Sequence, residues 1–181
     1  MKMIFLCCLS MFYYIVGNSQ ITGATLQASG LTCALCAKSI YTNLTSLSFV
    51  ESVDTDLNAS SFLISFRKNQ EIVPGLLKKK VEDAGFSVSN LAFDINASNQ
   101  TVNHDVPVKI GQTFYHVVNI KSKVLNGPSK WQIIDKGFVG PKELKKWMST
   151  VKDNCYHSAE ISDCPNTENN TSFTTYHVII R

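Results

Sequence analysis

Cys33 and Cys36 stand two residues apart, directly after Gly30-Leu31-Thr32. Gly30 lets the backbone turn sharply off a preceding strand. Cys33 then falls in a loop and Cys36 in the first turn of a helix, which brings both sulfurs to one side. The amino end of a helix carries partial positive charge and lowers the pKa of a nearby thiol. Two thiolates with no added imidazole or carboxylate suit a soft ion of low coordination number, Cu(I) above all. A structural zinc site would need two further ligands. In an oxidising compartment the same pair can close as a disulfide, so a redox role stays open.

The other four of the six cysteines also fall in pairs, Cys7/Cys8 and Cys155/Cys164. Lys2 precedes an apolar run from Ile4 to Val16 broken only by Ser10, and Gly17 and Ser19 supply small residues before a cut after Ser19. Residues 1–20 therefore read as a secretory signal peptide. The run is short of the ~20 apolar residues that span a bilayer. Cleavage removes Cys7 and Cys8 and places the mature protein in the periplasm, cell envelope or outside the cell, with no stable membrane span. Disulfides persist there. Cys155 and Cys164 flank a polar, turn-rich stretch, and a disulfide closing that loop would contribute about 3 kcal/mol. The alternatives for this pair are a second metal site with His157 and a thiol that exchanges with Cys33/Cys36.

Two regions must position these groups. Residues 24–95 alternate strand and helix patterns. Thr25 to Ser29 reads as a strand and Cys33 to Leu47 as a helix with Leu35, Ile40, Leu44 and Leu47 near helical spacing. Phe49 to Leu57 and Ser61 to Arg67 read as strands, the latter with Phe62, Ile64 and Phe66 on one face and Leu63 on the other. Pro74 opens a second helix whose core side is Leu76, Leu77 and Val81, and Gly85 ends it. Phe86 to Phe93 is a last strand. The order is β-α-β-β-α-β, the split βαβ pattern of a ferredoxin-like sandwich. Residues 96–105, NASNQTVNHD, are polar and read as a linker.

Residues 106–181 hold both Trp residues and carry strand patterns at Val106–Ile110, Phe114–Ile120, Trp131–Asp135 and Tyr176–Ile180. Pro141 to Asp153 is helical, with Leu144, Trp147, Met148 and Val151 as its apolar stripe. Tyr115-His116-Val117-Val118 and Tyr176-His177-Val178-Ile179 look alike and read as neighbouring strands. His116 and His177 would then share a face, as half-exposed strand histidines on the plainer reading and as a paired-His metal site on the sharper one. This half reads as a small barrel or curled sheet with one helix, so the chain as a whole is α+β.

The run Gly30-Leu31-Thr32-Cys33-Ala34-Leu35-Cys36, the element order and the closing Glu82-Asp83-Ala84-Gly85-Phe86 together resemble the heavy-metal-associated domain. That family includes copper chaperones, the N-terminal domains of copper-transporting ATPases and a periplasmic mercury-binding protein. The resemblance covers residues 24–95 and implies that Cys33 and Cys36 are the metal ligands. It places Leu31 where the family usually has Met as a buried prop under the loop, a volume-tolerant exchange. It places Phe86 in the loop facing the metal, as an apolar shield without charge.

A net charge of +3 with 17% charged residues argues against a nucleic-acid binder. A hydrophobic fraction of 44% excludes a disordered chain. No Ser/His/Asp set, paired-carboxylate motif or phosphate loop stands out, and the chain reads as non-catalytic. The expectation is an exported soft-metal binder that takes up or hands on Cu(I) through Cys33 and Cys36. Hg(II) or Zn(II) is the alternative ion, and a metal-transport or other envelope protein the partner. A protein-interaction module with a redox or structural disulfide is the alternative from another class. Asn43, Asn58, Asn96, Asn99, Asn169 and Asn170 each begin an N-x-[ST] triplet, a frequency that an Asn-, Ser- and Thr-rich composition produces by chance.

Overall fold

The computed structural model describes residues 20–31, 33–104, 106–151, 156 and 174–181. The leader with Cys7 and Cys8, and Cys155, His157 and Cys164, lie outside the described residues.

The elements run β1 (Gln20–Ser29), α1 (Ala34–Thr45), β2 (Val50–Asp56), β3 (Ser61–Phe66), α2 (Pro74–Asp83), β4 (Ser87–Asn103), β5 (Val108–Ile110), β6 (Thr113–Val117), β7 (Ser122–Ile133), α3 (Pro141–Thr150) and β8 (Thr175–Ile180). The first half has the expected βαββαβ order. Its strands lie in the order β2-β3-β1-β4, all antiparallel neighbours. Ala24, Leu26, Phe62, Ile64, Leu91 and Phe93 alternate inward on these strands and meet Ile40 and Leu44 of α1 and Leu77 and Val81 of α2. Leu35 and Leu76, counted above with the core-facing residues, are instead 79% and 41% exposed. Leu76 stands beside the fully buried Leu77, and Leu35 two residues before the buried Ala37, so both fall outside the buried stripe of their helix.

The two halves share one sheet. Residues 96–103, read from the sequence as part of a linker, are paired strand: β4 runs to Asn103 and bonds β1 on one side and β7 on the other. A register shift between Ala97 and Gln100 bends this part, which explains its weak pattern. The full order is β2-β3-β1-β4-β7-β8-β6-β5 and the sheet does not close. Trp131, Ile133, Tyr115, Tyr176, Val178 and Phe138 belong to the same core as Leu26 and Phe93. Edge-on aromatic contacts carry that core across, from Phe93 to Tyr115 at 6.3 Å and from Tyr115 to Trp131 at 6.2 Å between ring centroids.

The second half also reaches back over α2. Glu71, just before the helix, accepts the backbone N–H of Gln112 at 2.9 Å. Lys78 lies with its ammonium 5.7 Å from the Phe138 ring centroid. On the other sheet face, α3 packs through partly buried Leu144, Trp147 and Val151 on Ile134, Ile179 and Tyr156, and Met148 is 46% exposed. Glu143 ties this layer down by accepting from Gln132 at 3.1 Å and Trp147 at 3.3 Å.

Candidate metal centre

β1 ends at Ser29, and Gly30 adopts φ +77°, a left-handed turn that an L side chain would strain. Cys33 is the N-cap of α1, with extended φ −142° and ψ 153°. Its sulfur accepts the backbone N–H of Cys36 at 3.2 Å, the place where a Ser or Asp oxygen commonly caps a helix. The thiol pair is therefore built into the helix start, and the spacing follows from capping geometry. Cα atoms of Cys33 and Cys36 are 5.3 Å apart and the two sulfurs are joined as a disulfide. That separation lies in the ordinary disulfide range. The open alternative of oxidation is thus the form represented here, and a dithiolate site requires its reduction.

The surroundings favour a thiolate once it forms. α1 has no acidic residue in its first turn, so the positive helix end is not offset locally. Cys33, Ala34 and Leu35 are exposed and Cys36 is partly buried. Leu31 and Phe86 are partly buried and packed against the main core. Leu31 fits the supporting role implied for it. Gly85, at φ +84°, turns the chain so that Phe86 follows α2 directly. A shallow groove beside the pair is lined by Ala34, Ala37, Lys38, Tyr41, Thr55 and Leu57. Leu57 is 53% and Tyr41 42% exposed, so the rim of the site is largely apolar. Asn43, within α1, donates to the Lys80 carbonyl at 3.1 Å and braces α1 against α2; its amide is engaged structurally.

The histidine expectation is partly met and partly corrected. β6 and β8 are parallel neighbours with Tyr115 opposite Tyr176, His116 opposite His177 and Val117 opposite Val178. The two histidines are buried, not half-exposed, because α3 and Tyr156 cover that face. Sequence reading missed Asp135. Its carboxylate accepts from His177 Nδ1 at 2.7 Å and from the His177 backbone N–H at 2.8 Å, with both side chains 0% exposed. A carboxylate closing the apolar run Trp131-Gln132-Ile133-Ile134 was the available signal. Burial pushes the Asp135 carboxyl above its usual range, and the hydrogen bonds from His177 oppose that shift.

Residues 25–87 match the model of the heavy-metal-associated domain. Among solved structures, the chain is similar to the yeast copper transporter domain Ccc2a, solved in apo and Cu(I)-loaded states, at 27% identity over 37% of this chain and 90% of that one, with a TM-score of 0.34. It is similar to the N-terminal domain of PacS from Synechocystis PCC6803 at 27% identity over 36% of this chain and 91% of that one, with a TM-score of 0.32. It is also similar to a copper-binding domain from HMA7, a P-type ATPase, at 25% identity over 38% and 92% of the two chains, with a TM-score of 0.34. No curated protein sequence matches the chain.

Proposed function

We propose that the heavy-metal-associated domain at residues 25–87 makes this chain an exported, non-catalytic carrier of Cu(I), held by the thiolates of Cys33 and Cys36. Domains of this family bind soft metal ions and meet metal-transport partners such as P-type ATPases. The observation that carries the reading is Cys33 as N-cap of α1 with Cys36 in its first turn. Two sulfurs on a positive helix end, with no carboxylate in that turn, suit a monovalent soft ion. Loading proceeds from the dithiol. An external thiol reductant supplies two electrons and two protons to the disulfide; Cu(I) then binds as the two thiols lose their protons, with no change in copper oxidation state. Transfer follows by exchange, a partner's thiolates replacing these one at a time. The apolar rim of Leu35, Tyr41 and Leu57 is the surface such a partner would cover.

Export rests on the leader pattern of residues 1–20. Hg(II) and Zn(II) are the other ions the dithiolate would accept. Zn(II) prefers four ligands, and among the described residues no group of three or more His, Cys, Asp or Glu side chains is arranged to hold a metal ion. The disulfide between Cys33 and Cys36 favours one further reading, a thiol pair that serves redox or structure without metal.

Anaerobic titration of the reduced protein with limiting Cu(I) tests the proposal. The expected result is near-ultraviolet thiolate-to-copper absorption that saturates with one ion and is absent from the Cys33→Ser/Cys36→Ser variant. Equal absorption in that variant, or none in the reduced protein, overturns it.

A further inference from the structure

Gln20 is the first residue of β1 and stands opposite Asn96 of β4. Beside it, Ile21 pairs with Ile95 and packs against the main core. Thr22 adds a hydrogen bond from its hydroxyl to the Asp94 carbonyl at 3.0 Å. The strand is thus held down from its start. The Gln20 side chain itself is exposed, and its carboxamide makes no hydrogen bond to another described residue. The leader pattern places the cut after Ser19, so the residue that opens the sheet also becomes the amino terminus of the exported chain.

An amino-terminal glutamine holds a nucleophile and an electrophile in one residue. Its α-nitrogen and its side-chain carbon Cδ are joined through Cα, Cβ and Cγ, so attack of one on the other closes a small, unstrained ring. Such an internal closure avoids the entropy cost of bringing two molecules together. An unperturbed α-amino group titrates at about 7.7–8.0, so a minority of it is uncharged and nucleophilic at neutral pH. Charge supplies an independent reason. Gln20 borders a cleft with Glu51, Arg67, Lys68 and Glu71, two carboxylates against two cations. A free α-ammonium adds a third positive charge to that balanced set, and a lactam adds none.

We propose that Gln20 is a modification site, at which the exported chain closes its amino terminus as pyroglutamate. The inference rests on the export reading, through the cut after Ser19. The α-nitrogen lone pair forms a bond to Cδ, the Cδ–Nε2 bond breaks, and Nε2 leaves as ammonia with a proton given up by the α-nitrogen. No electron is transferred and no co-reactant is consumed; a glutaminyl cyclase only accelerates the step. The lactam keeps one N–H, which is all that a peptide group offers in a strand, so the ring is compatible with the start of β1. Closure also denies aminopeptidases the ammonium they bind. The strand they would trim is the one that leads into Gly30 and Cys33.

The test uses the full chain with its leader, expressed in a secreting host and purified folded through a carboxy-terminal tag. The exported protein is incubated with glutaminyl cyclase at neutral pH, acylated with an amine-reactive label, and read by intact mass and by mass-spectrometric sequencing of the first peptide. The expected result is a chain that begins at residue 20, is lighter than its sequence by one ammonia, and takes no label on its α-nitrogen. Gln20→Ala, treated alike, keeps its full mass and takes the label. A wild-type chain that begins at Gln20, keeps its full mass and takes the label overturns the proposal and leaves export standing. A chain that begins elsewhere overturns it together with the cut after Ser19, and one that keeps residues 1–19 overturns the leader reading as well. Mass and label are read on the covalent chain, so a variant that folds poorly does not blunt the test.

Discussion

The Tyr176 hydroxyl, on the last strand, lies so close to Gly75 in the first turn of α2 that a β-carbon on Gly75 would meet it at 3.3 Å. This contact joins residues about a hundred positions apart and locks the β-rich half onto a helix of the half that matches the heavy-metal-associated domain. Replacing a helical glycine by alanine ordinarily gains about 0.5–1 kcal/mol. Gly75→Ala forfeits that gain against the hydroxyl. In a Tyr176→Phe background the same change is stabilising by roughly that amount. Urea unfolding of the four proteins in this cycle measures the coupling, and additive effects would show that the contact is slack.

Trp131 is 0% exposed and faces Phe93 across the β4–β7 ladder. Trp131→Ala costs about 3–5 kcal/mol, as for other buried large-to-small changes. The loss spreads through the shared core into β1 and β3. Amide hydrogen exchange in β1 and β3 accelerates together with that in β7. Exchange confined to β7 and β8 would mean that the halves are energetically separate.

Alkaline pH undermines the fold through Tyr176. Burial pushes its hydroxyl from 10.0 up to about 12. A folded pKa above the unfolded one means stability is full below about pH 10 and declines as pH rises toward 12, because only the unfolded chain readily releases the proton. Two units correspond to roughly 2–3 kcal/mol for this group. Burial raises Tyr115 and Tyr156 in the same direction. Tyr176→Phe flattens the decline between pH 10 and 12, which chemical unfolding at fixed pH values reads directly.

Leu35 and Leu44 separate fold from function within one helix. Leu44 is 0% exposed and Leu35 79%. Leu44→Ala costs about 2–5 kcal/mol. Leu35→Ala changes stability by less than about 0.5 kcal/mol. On the proposed Cu(I)-transfer function, it slows release to a dithiol acceptor protein that docks on the apolar rim. An unchanged transfer rate in stopped-flow measurements would remove Leu35 from that surface.

Locality decided how much of this could be read in the chain. Pro74 and Gly85 bracket α2 within about a residue, and Phe62, Ile64 and Phe66 declare the buried face of β3, because those signals are local. The repeated Tyr-His-Val marks β6 and β8 as alike, and their pairing is a long-range one. Leu35 and Leu76 mislead because an apolar side chain near helical spacing can still fall outside the buried stripe, as the neighbouring Ala37 and Leu77 show. The far halves of β4 and β7 carry little apolar pattern. Pro128 sits in β7 opposite Asn96, where β8 has not yet begun to pair on β7's other side. Proline is tolerated on such an edge and disguises the strand. Asp135 and His177 meet only through tertiary folding, so neither announces the other.

The pairing of β7 with β4 also bears on self-association. In a four-stranded sandwich β4 would be a margin with unpaired N–H and C=O groups, a template for a second chain. Here those groups are consumed internally. The remaining margins are blunted in different ways: β2 exposes Glu51, Asp54 and Asp56, and β5 is three residues long and follows Pro107. Margins so blunted offer little purchase for strand-by-strand growth, so concentrated protein should resist fibril formation even though its described residues form eight strands.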